Sequence, residues 1–190
     1  MESTSENKIS NDQSSGLIFL IGGARSGKSS LAVELASATE RETIFVATAE
    51  ALDDEMSVRI ARHRAERPNW LTVEEPLDLA RAISEAPSSS CMIIDCLTLW
   101  LSNLILRGDS EAAINTASTR TLAAITTRVG RTIAISNEVG LGIVPESELA
   151  RNFREIIGRV NQQWARASRQ SLFLVAGRAL ELQKPERILQ

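Results

Sequence analysis

Cysteine is scarce: Cys91 and Cys96 are the only two in 190 residues. Two are too few for a disulfide framework or a Cys-only metal site. They read instead as buried, reduced thiols of a cytoplasmic protein. Long apolar runs are missing too. None approaches the roughly 18 residues that cross a bilayer, so no membrane span is expected. The first run, Leu17–Ile21, is far too short and has no basic segment before it, which argues against a secretory signal. Neither sign of charge dominates: 21 Lys and Arg stand against 24 Asp and Glu, a net charge of −3. A dedicated nucleic-acid binder is usually basic, so no nucleic-acid partner is expected, although a local basic patch remains open. Histidine occurs once, at position 63.

What is present is near the globular average, 43% hydrophobic and 24% charged. The length fits one domain plus a tail. Residues 1–15, rich in Ser, Asn, Glu and Asp, read as a disordered tail, and residues 16–190 as a single domain. From there short apolar runs alternate with amphipathic stretches. Strands are expected at Leu17–Ile21, Thr43–Thr48, Cys91–Ile94, Thr132–Ser136 and Leu172–Val175. Helices are expected over Lys28–Ala38, Asp53 to about Arg64, Leu77–Ser84, Leu97–Leu106, Ala112–Val129 and within Glu146–Arg169. Strands apolar on both faces and separated by helices indicate a parallel sheet covered on both sides. Right-handed crossovers then align strand carboxyl ends with helix amino ends along one edge, where function belongs.

Gly22-Gly23-Ala24-Arg25-Ser26-Gly27-Lys28-Ser29 fits G-x-x-x-x-G-K-[ST], directly after a strand and opening a helix. Glycines let the backbone wrap so that successive N–H groups point at phosphate oxygens, and the helix amino terminus adds positive potential. Lys28 is placed to bridge the outer phosphates, and the Ser29 hydroxyl to ligate Mg²⁺. The apolar run Cys91–Ile94 ends in Asp95, a candidate second ligand for that magnesium. The expected fold is therefore an α/β P-loop NTPase of RecA-like type, with a mostly parallel sheet and helices on both faces.

His63 sits in a helix with Arg59, Arg62, Arg64 and Arg67 around it. Two readings stay open on residue types alone. One is a surface histidine in a salt-bridged helix. The other is a nucleophile, kept neutral by neighbouring cations that also stabilise phosphate charge.

Several ordered segments together resemble one family. They are the P-loop; Ala47-Thr48-Ala49; Leu52-Asp-Asp-Glu-Met56; Arg59-Ile60 through His63 to Arg67-Pro68; Trp70-x-Thr72-x-Glu74; Asp95 through Leu104; Ser136-Asn137-Glu138-Val-Gly140-x-Gly142-Ile-Val-Pro145; and Leu149 through Gln162. The chain looks like the bifunctional adenosylcobinamide kinases and adenosylcobinamide-phosphate guanylyltransferases of cobalamin assembly, over about Leu17–Leu182. The resemblance implies phosphorylation of adenosylcobinamide by ATP or GTP. It then implies transfer of GMP from GTP to that phosphate through a guanylylated histidine, which here is His63. It implies nucleotide contacts at Gly22–Ser29, at Ala47, Thr48 and Ala49, at Arg64, Ala65, Glu66 and Arg67, and at Glu74 and Asp95. Glu74 would accept hydrogen bonds from ribose or from guanine. The resemblance also implies a homotrimer. The Asn137–Pro145 loop is expected to contact the corrinoid or a neighbouring subunit, and Trp70, Trp100 and Trp164 to serve the core or an interface. The segment Gly177–Leu182 departs from the family's Pro-containing turn, and Phe45 stands where Tyr is frequent.

Overall fold

The computed structural model describes residues 15–51, 54–65 and 68–188, and at positions 55, 59, 63 and 187 the backbone alone. The expected tail, apart from Ser15, lies outside the described residues. In chain order the elements are β1 (Gly16–Gly22), α1 (Lys28–Ser37), β2 (Thr43–Ala47), α2 (Asp54–Ala65), β3 (Leu71–Glu74), α3 (Leu79–Glu85) and β4 (Cys91–Asp95). They continue with α4 (Leu97–Arg107), α5 (Glu111–Thr126), β5 (Arg131–Asn137), α6 (Glu148–Ala167), β6 (Gln170–Val175), β7 (Arg178–Glu181) and α7 (Pro185–Ile188).

The strands form one seven-stranded sheet in the order β3-β2-β4-β5-β1-β6-β7. Every neighbouring pair is parallel except the β6–β7 hairpin. Strands β1, β2, β4 and β5 are buried almost throughout, which suits their runs of Ile, Val, Leu and Phe. Alternation sends Leu17, Phe19 and Ile21 into a core shared with Ile83, Trp100 and Ile157. Ile18 and Leu20 enter a second core under Ala32 and Ala36 of α1. Helices cover both faces, as expected, but unequally. Helices α3 to α6 pack on the first face, whereas α1 packs on the second, where its alanines at i, i+4 let the helix approach closely.

Trp100 and Trp164 are fully buried. Their indole N–H groups donate to the Leu77 carbonyl (2.8 Å) and to Ser118 Oγ (2.9 Å), so neither brings an unsatisfied donor into the core. Trp70 is half-buried against the α1-side core.

The structure adds two strands to the expected five, β3 and β7. It also moves several helix ends. Helix α3 starts at Leu79 rather than Leu77, because Asp78 caps it by accepting the Arg81 N–H (3.1 Å). The buried Glu75 accepts the N–H groups of Leu77 (3.1 Å) and Asp78 (2.7 Å) in the preceding turn. Helix α5 stops at Thr126 rather than reaching Val129. The N–H groups of Val129 and Gly130 turn instead to the Ser88 carbonyl, at 3.0 and 2.7 Å. Helix α6 is shorter than the Glu146–Arg169 segment that holds it.

Parallel pairing aligns the strand carboxyl ends along one edge. Glu74, Ala47, Asp95 and Ile135 lie in one register row across β3, β2, β4 and β5. Gly22 and Asn137 are partners at the ends of β1 and β5.

Candidate active site

The turn between β1 and α1 is fixed by close approach. A Cβ on Gly22 would lie 2.3 Å from the Leu174 carbonyl oxygen of β6, so no side chain fits there. Gly27 takes φ 100° as the residue preceding α1 and provides no side-chain cap. The first turn of α1 carries no acidic residue. Its N–H groups and the positive end of its dipole are therefore left for an anion.

Lys28 is buried, and its ammonium folds back onto its own turn. It donates to the carbonyls of Gly22 (3.0 Å) and Gly23 (2.6 Å) and to Ser26 Oγ (3.3 Å). Burial lowers its pKa, and the nearby Cys96 and Asp95 pull the other way. Ser29 Oγ donates to Asp95 Oδ2 at 3.2 Å, joining residues 66 positions apart in sequence. The hydroxyl and the carboxylate thus converge at the amino end of α1. Among the described residues no group of three or more His, Cys, Asp or Glu is placed to hold a metal. Ser29 and Asp95 offer hard oxygen donors of the kind magnesium takes alongside phosphates and water.

Thr48 is fully buried and fastens β2 to β4. Its hydroxyl donates to the Cys96 carbonyl (2.8 Å) and accepts the Cys96 N–H (2.7 Å). Its N–H donates to the Asp95 carbonyl (3.1 Å). Its side chain is committed to the protein, while Ala47 and Ala49 on either side are half-buried. Glu74 is exposed at the end of β3. The structure therefore brings Gly22–Ser29, Ala47–Ala49, Glu74 and Asp95 to one edge.

Arg64 and Ala65 are exposed on α2 and line an open cavity of about 480 Å³ with Ala51, Ser57, Ile60 and Ala61. No residue of the Gly22–Ser29 turn lines it. His63 is placed by its backbone in α2, and its side chain is not described. Glu66 and Arg67 lie outside the described residues.

Two features escaped the sequence reading. The Gly177 N–H, in the β6–β7 turn, donates to the Ser26 carbonyl (3.0 Å) and braces the phosphate turn from the far end of the chain. The one local signal was Gly177 just after the apolar run Leu172–Val175, a turn residue that here takes φ 72°. The other is a polar network around Asn137, whose members are scattered and leave no local signal.

The Asn137–Pro145 loop leaves β5 beside the turn, with the Glu138 N–H donating to the Gly22 carbonyl (3.1 Å). Its aliphatic side chains point outward: Leu141 is 81% and Ile143 97% exposed. Arg154 donates to the Gly140 carbonyl and Arg151 to that of Pro145, so α6 pins the loop.

A glycine turn gripping its own lysine, beside a Ser–Asp pair on the carboxyl edge of a mostly parallel sheet, defines a P-loop NTPase. Solved structures agree on the fold. Flagellar accessory protein FlaH from Methanocaldococcus jannaschii matches with TM-score 0.52 at 14% identity, over 90% of this chain and 79% of its own. A prototypical ATPase from the type III secretion system of pathogenic bacteria matches with TM-score 0.53 at 10% identity, over 85% of this chain and 52% of its own. Within that class the chain belongs to the family described as cobinamide kinase / cobinamide phosphate guanyltransferase, whose model matches residues 18–182. The bifunctional adenosylcobalamin biosynthesis protein CobP of Pseudomonas aeruginosa is 44% identical, over 86% of this chain and 95% of its own. The corresponding protein CobU of Escherichia coli is 39% identical, over 85% and 96%. The segment Gly177–Leu182, expected from the resemblance to depart from a Pro-containing turn, holds the hairpin strand β7. Its Ala179 pairs with Leu174.

Proposed function

We propose that the protein phosphorylates adenosylcobinamide with ATP or GTP, then transfers GMP from GTP to adenosylcobinamide phosphate through a guanylylated His63. The products are adenosylcobinamide-GDP and pyrophosphate. The observation that carries this reading is the Lys28 turn joined to Asp95 through Ser29, in a chain of this family.

In the kinase outcome the substrate hydroxyl attacks the γ-phosphorus. A new P–O bond forms, the bond to the β-phosphate oxygen breaks to release the nucleoside diphosphate, and the hydroxyl proton passes to solvent. Lys28 exchanges the carbonyls it now holds for β- and γ-phosphate oxygens, while the turn's N–H groups hold the inner phosphates. Ser29 and Asp95 would hold Mg²⁺, which neutralises phosphate charge when bound. In the guanylyl outcome a neutral imidazole nitrogen of His63 attacks the α-phosphorus and pyrophosphate leaves. The phosphate oxygen of adenosylcobinamide phosphate then attacks the phosphoramidate and frees the imidazole. Arg64 and Arg67 suit the phosphate charge, the family resemblance assigns nucleotide contacts to Ala47–Ala49 and to Glu66, and Glu74 accepts from ribose or guanine. One phosphate placement does not serve both outcomes, so α2 or the nucleotide shifts between them. The exposed loop Val139–Val144 offers apolar surface to the corrinoid or to a neighbouring subunit of a homotrimer. Two buried thiols suit a cytoplasmic setting.

The test uses GTP labelled at the α- or γ-phosphate. The expected result is an acid-labile α label retained on the protein, lost in His63→Ala, with γ transfer to adenosylcobinamide largely intact in that variant. Equal loss of both activities in His63→Ala sinks the two-role assignment. A plain small-molecule kinase would retain no α label. A nucleotide-binding switch would bind GTP tightly without turnover in the presence of adenosylcobinamide. Lys28→Ala should damage both activities, and unchanged turnover removes the P-loop from the mechanism.

A further inference from the structure

Asn137 ends β5, and its backbone is clamped from three sides. Its N–H donates to Thr98 Oγ1 of α4 (2.8 Å), and its carbonyl accepts from Asn161 Nδ2 of α6 (3.3 Å). The next N–H, that of Glu138, donates to the Gly22 carbonyl (3.1 Å). The two clamping side chains meet at Ser136. Its hydroxyl donates to Asn161 Oδ1 (2.6 Å) and lies 3.5 Å from Thr98 Oγ1. Ser136 and Asn161 are buried. Burying polar groups is costly unless they are bonded, and a fully bonded network is stiff. This network ends on the backbone of one residue. Yet the carboxamide of Asn137, half-buried, makes no hydrogen bond among the described residues.

Strand alternation fixes where that carboxamide faces. Ile133 and Ile135 lie in the core under α1, so Asn137 faces the α1 side. Cys91 and Ile93 lie in the same core, so Asp95 faces that side too, in keeping with its bond to Ser29. Strand β5 lies between β1 and β4. Asn137 pairs with Gly22 on one side, while Asp95 pairs with Ile135, two residues earlier, on the other. The carboxamide therefore stands between the Lys28 turn and the Ser29–Asp95 pair. In a P-loop the lysine reaches the β- and γ-phosphates, and the Ser or Thr serves the magnesium that bridges them. A group between the two faces the terminal phosphate.

The geometry points to Asn137 as a phosphate-contacting residue, its carboxamide N–H donating to an oxygen of the terminal phosphate of the bound triphosphate. Thr98, Ser136 and Asn161 are the positioning residues that hold it there. The inference rests on the P-loop nucleotide reading above. Glu138 does not compete for the phosphate, because its carboxylate accepts the Gly140 N–H in its own turn.

The experiment compares Asn137→Ala, Asn137→Asp and Lys28→Ala in the full chain, each in the His63→Ala background so that no guanylyl adduct forms. GDP and the β,γ-imido analogue of GTP are titrated with Mg²⁺ by calorimetry, and γ-phosphate transfer to adenosylcobinamide is followed. Asn137→Ala should weaken the triphosphate analogue about tenfold and leave GDP within about twofold, since one hydrogen bond to a charged group is lost. Its kcat for phosphoryl transfer should fall on the order of 10²-fold. Asn137→Asp, close in shape, should weaken the analogue further by charge repulsion. Thr98→Val should lower kcat with the nucleotide KM little changed, and its effect should not add to that of Asn137→Ala. If Asn137→Ala weakens GDP and the analogue equally, or neither, Asn137 is structural and the inference is overturned. If Lys28→Ala binds the analogue as wild type does, the nucleotide site itself has been misread, a failure distinct from the first.

Discussion

Gly22 and Gly130 are each pressed against a carbonyl of another segment, one in the phosphate turn and one at the opposite end of the sheet. A Cβ at Gly130 would lie 2.0 Å from the Ser90 carbonyl oxygen, and at Gly22 2.3 Å from that of Leu174. Overpacking of this kind costs about 1–3 kcal/mol. Gly130→Ala should therefore lower the urea-unfolding free energy by that amount while leaving calorimetric GTP affinity unchanged. Gly22→Ala should lose stability and affinity together. Cys96 gives a pH dependence. Burial pushes its thiol from 9.0 up to about 11. Its contribution to stability is fully present below pH 9.0 and is lost as pH rises through about 11, because the unfolded thiol ionises first. The stability difference between wild type and Cys96→Ala, read by urea unfolding from pH 8 to 11, should shrink across that window. A constant difference would show that the thiol titrates alike in both states.

Among the elements, α5 owes its start to Ser110, which accepts the Ala113 N–H at 3.3 Å. Ser110→Ala should cost about 1 kcal/mol of unfolding free energy without affecting turnover. Such a local cap leaves a mark in the sequence, as do the five core strands and the P-loop, which combine a contiguous motif with a continuous apolar run. Strand β3 left little mark, since four residues with an exposed Leu71 and Glu74 carry no long run. Strand β7 is exposed at every position, so burial gave it no pattern. The candidate site divides in the same way. Asp95 was legible as the polar end of an apolar strand. The clamp on Asn137 was not, since its partners lie 39 and 24 residues away and only the sheet brings them together. His63 is ambiguous on residue type, and the role proposed for it comes from the family resemblance.

For the whole molecule, nucleotide binding and stability are linked through the sheet that bears the turn. A ligand at 100 times its Kd adds about 2.7 kcal/mol to the folded state. GTP with Mg²⁺ should raise the melting temperature of the wild type and leave that of Lys28→Ala unmoved, as differential scanning fluorimetry will show. Equal shifts in both would locate binding elsewhere. The order of the strands carries a consequence for biosynthesis. The strand that leads into the phosphate turn is made first, but both of its neighbours in the sheet belong to the last third of the chain. A nascent polypeptide on the ribosome thus carries the whole glycine motif long before it can grip GTP, and the nucleotide can act as a folding aid only once β5 and β6 have been made.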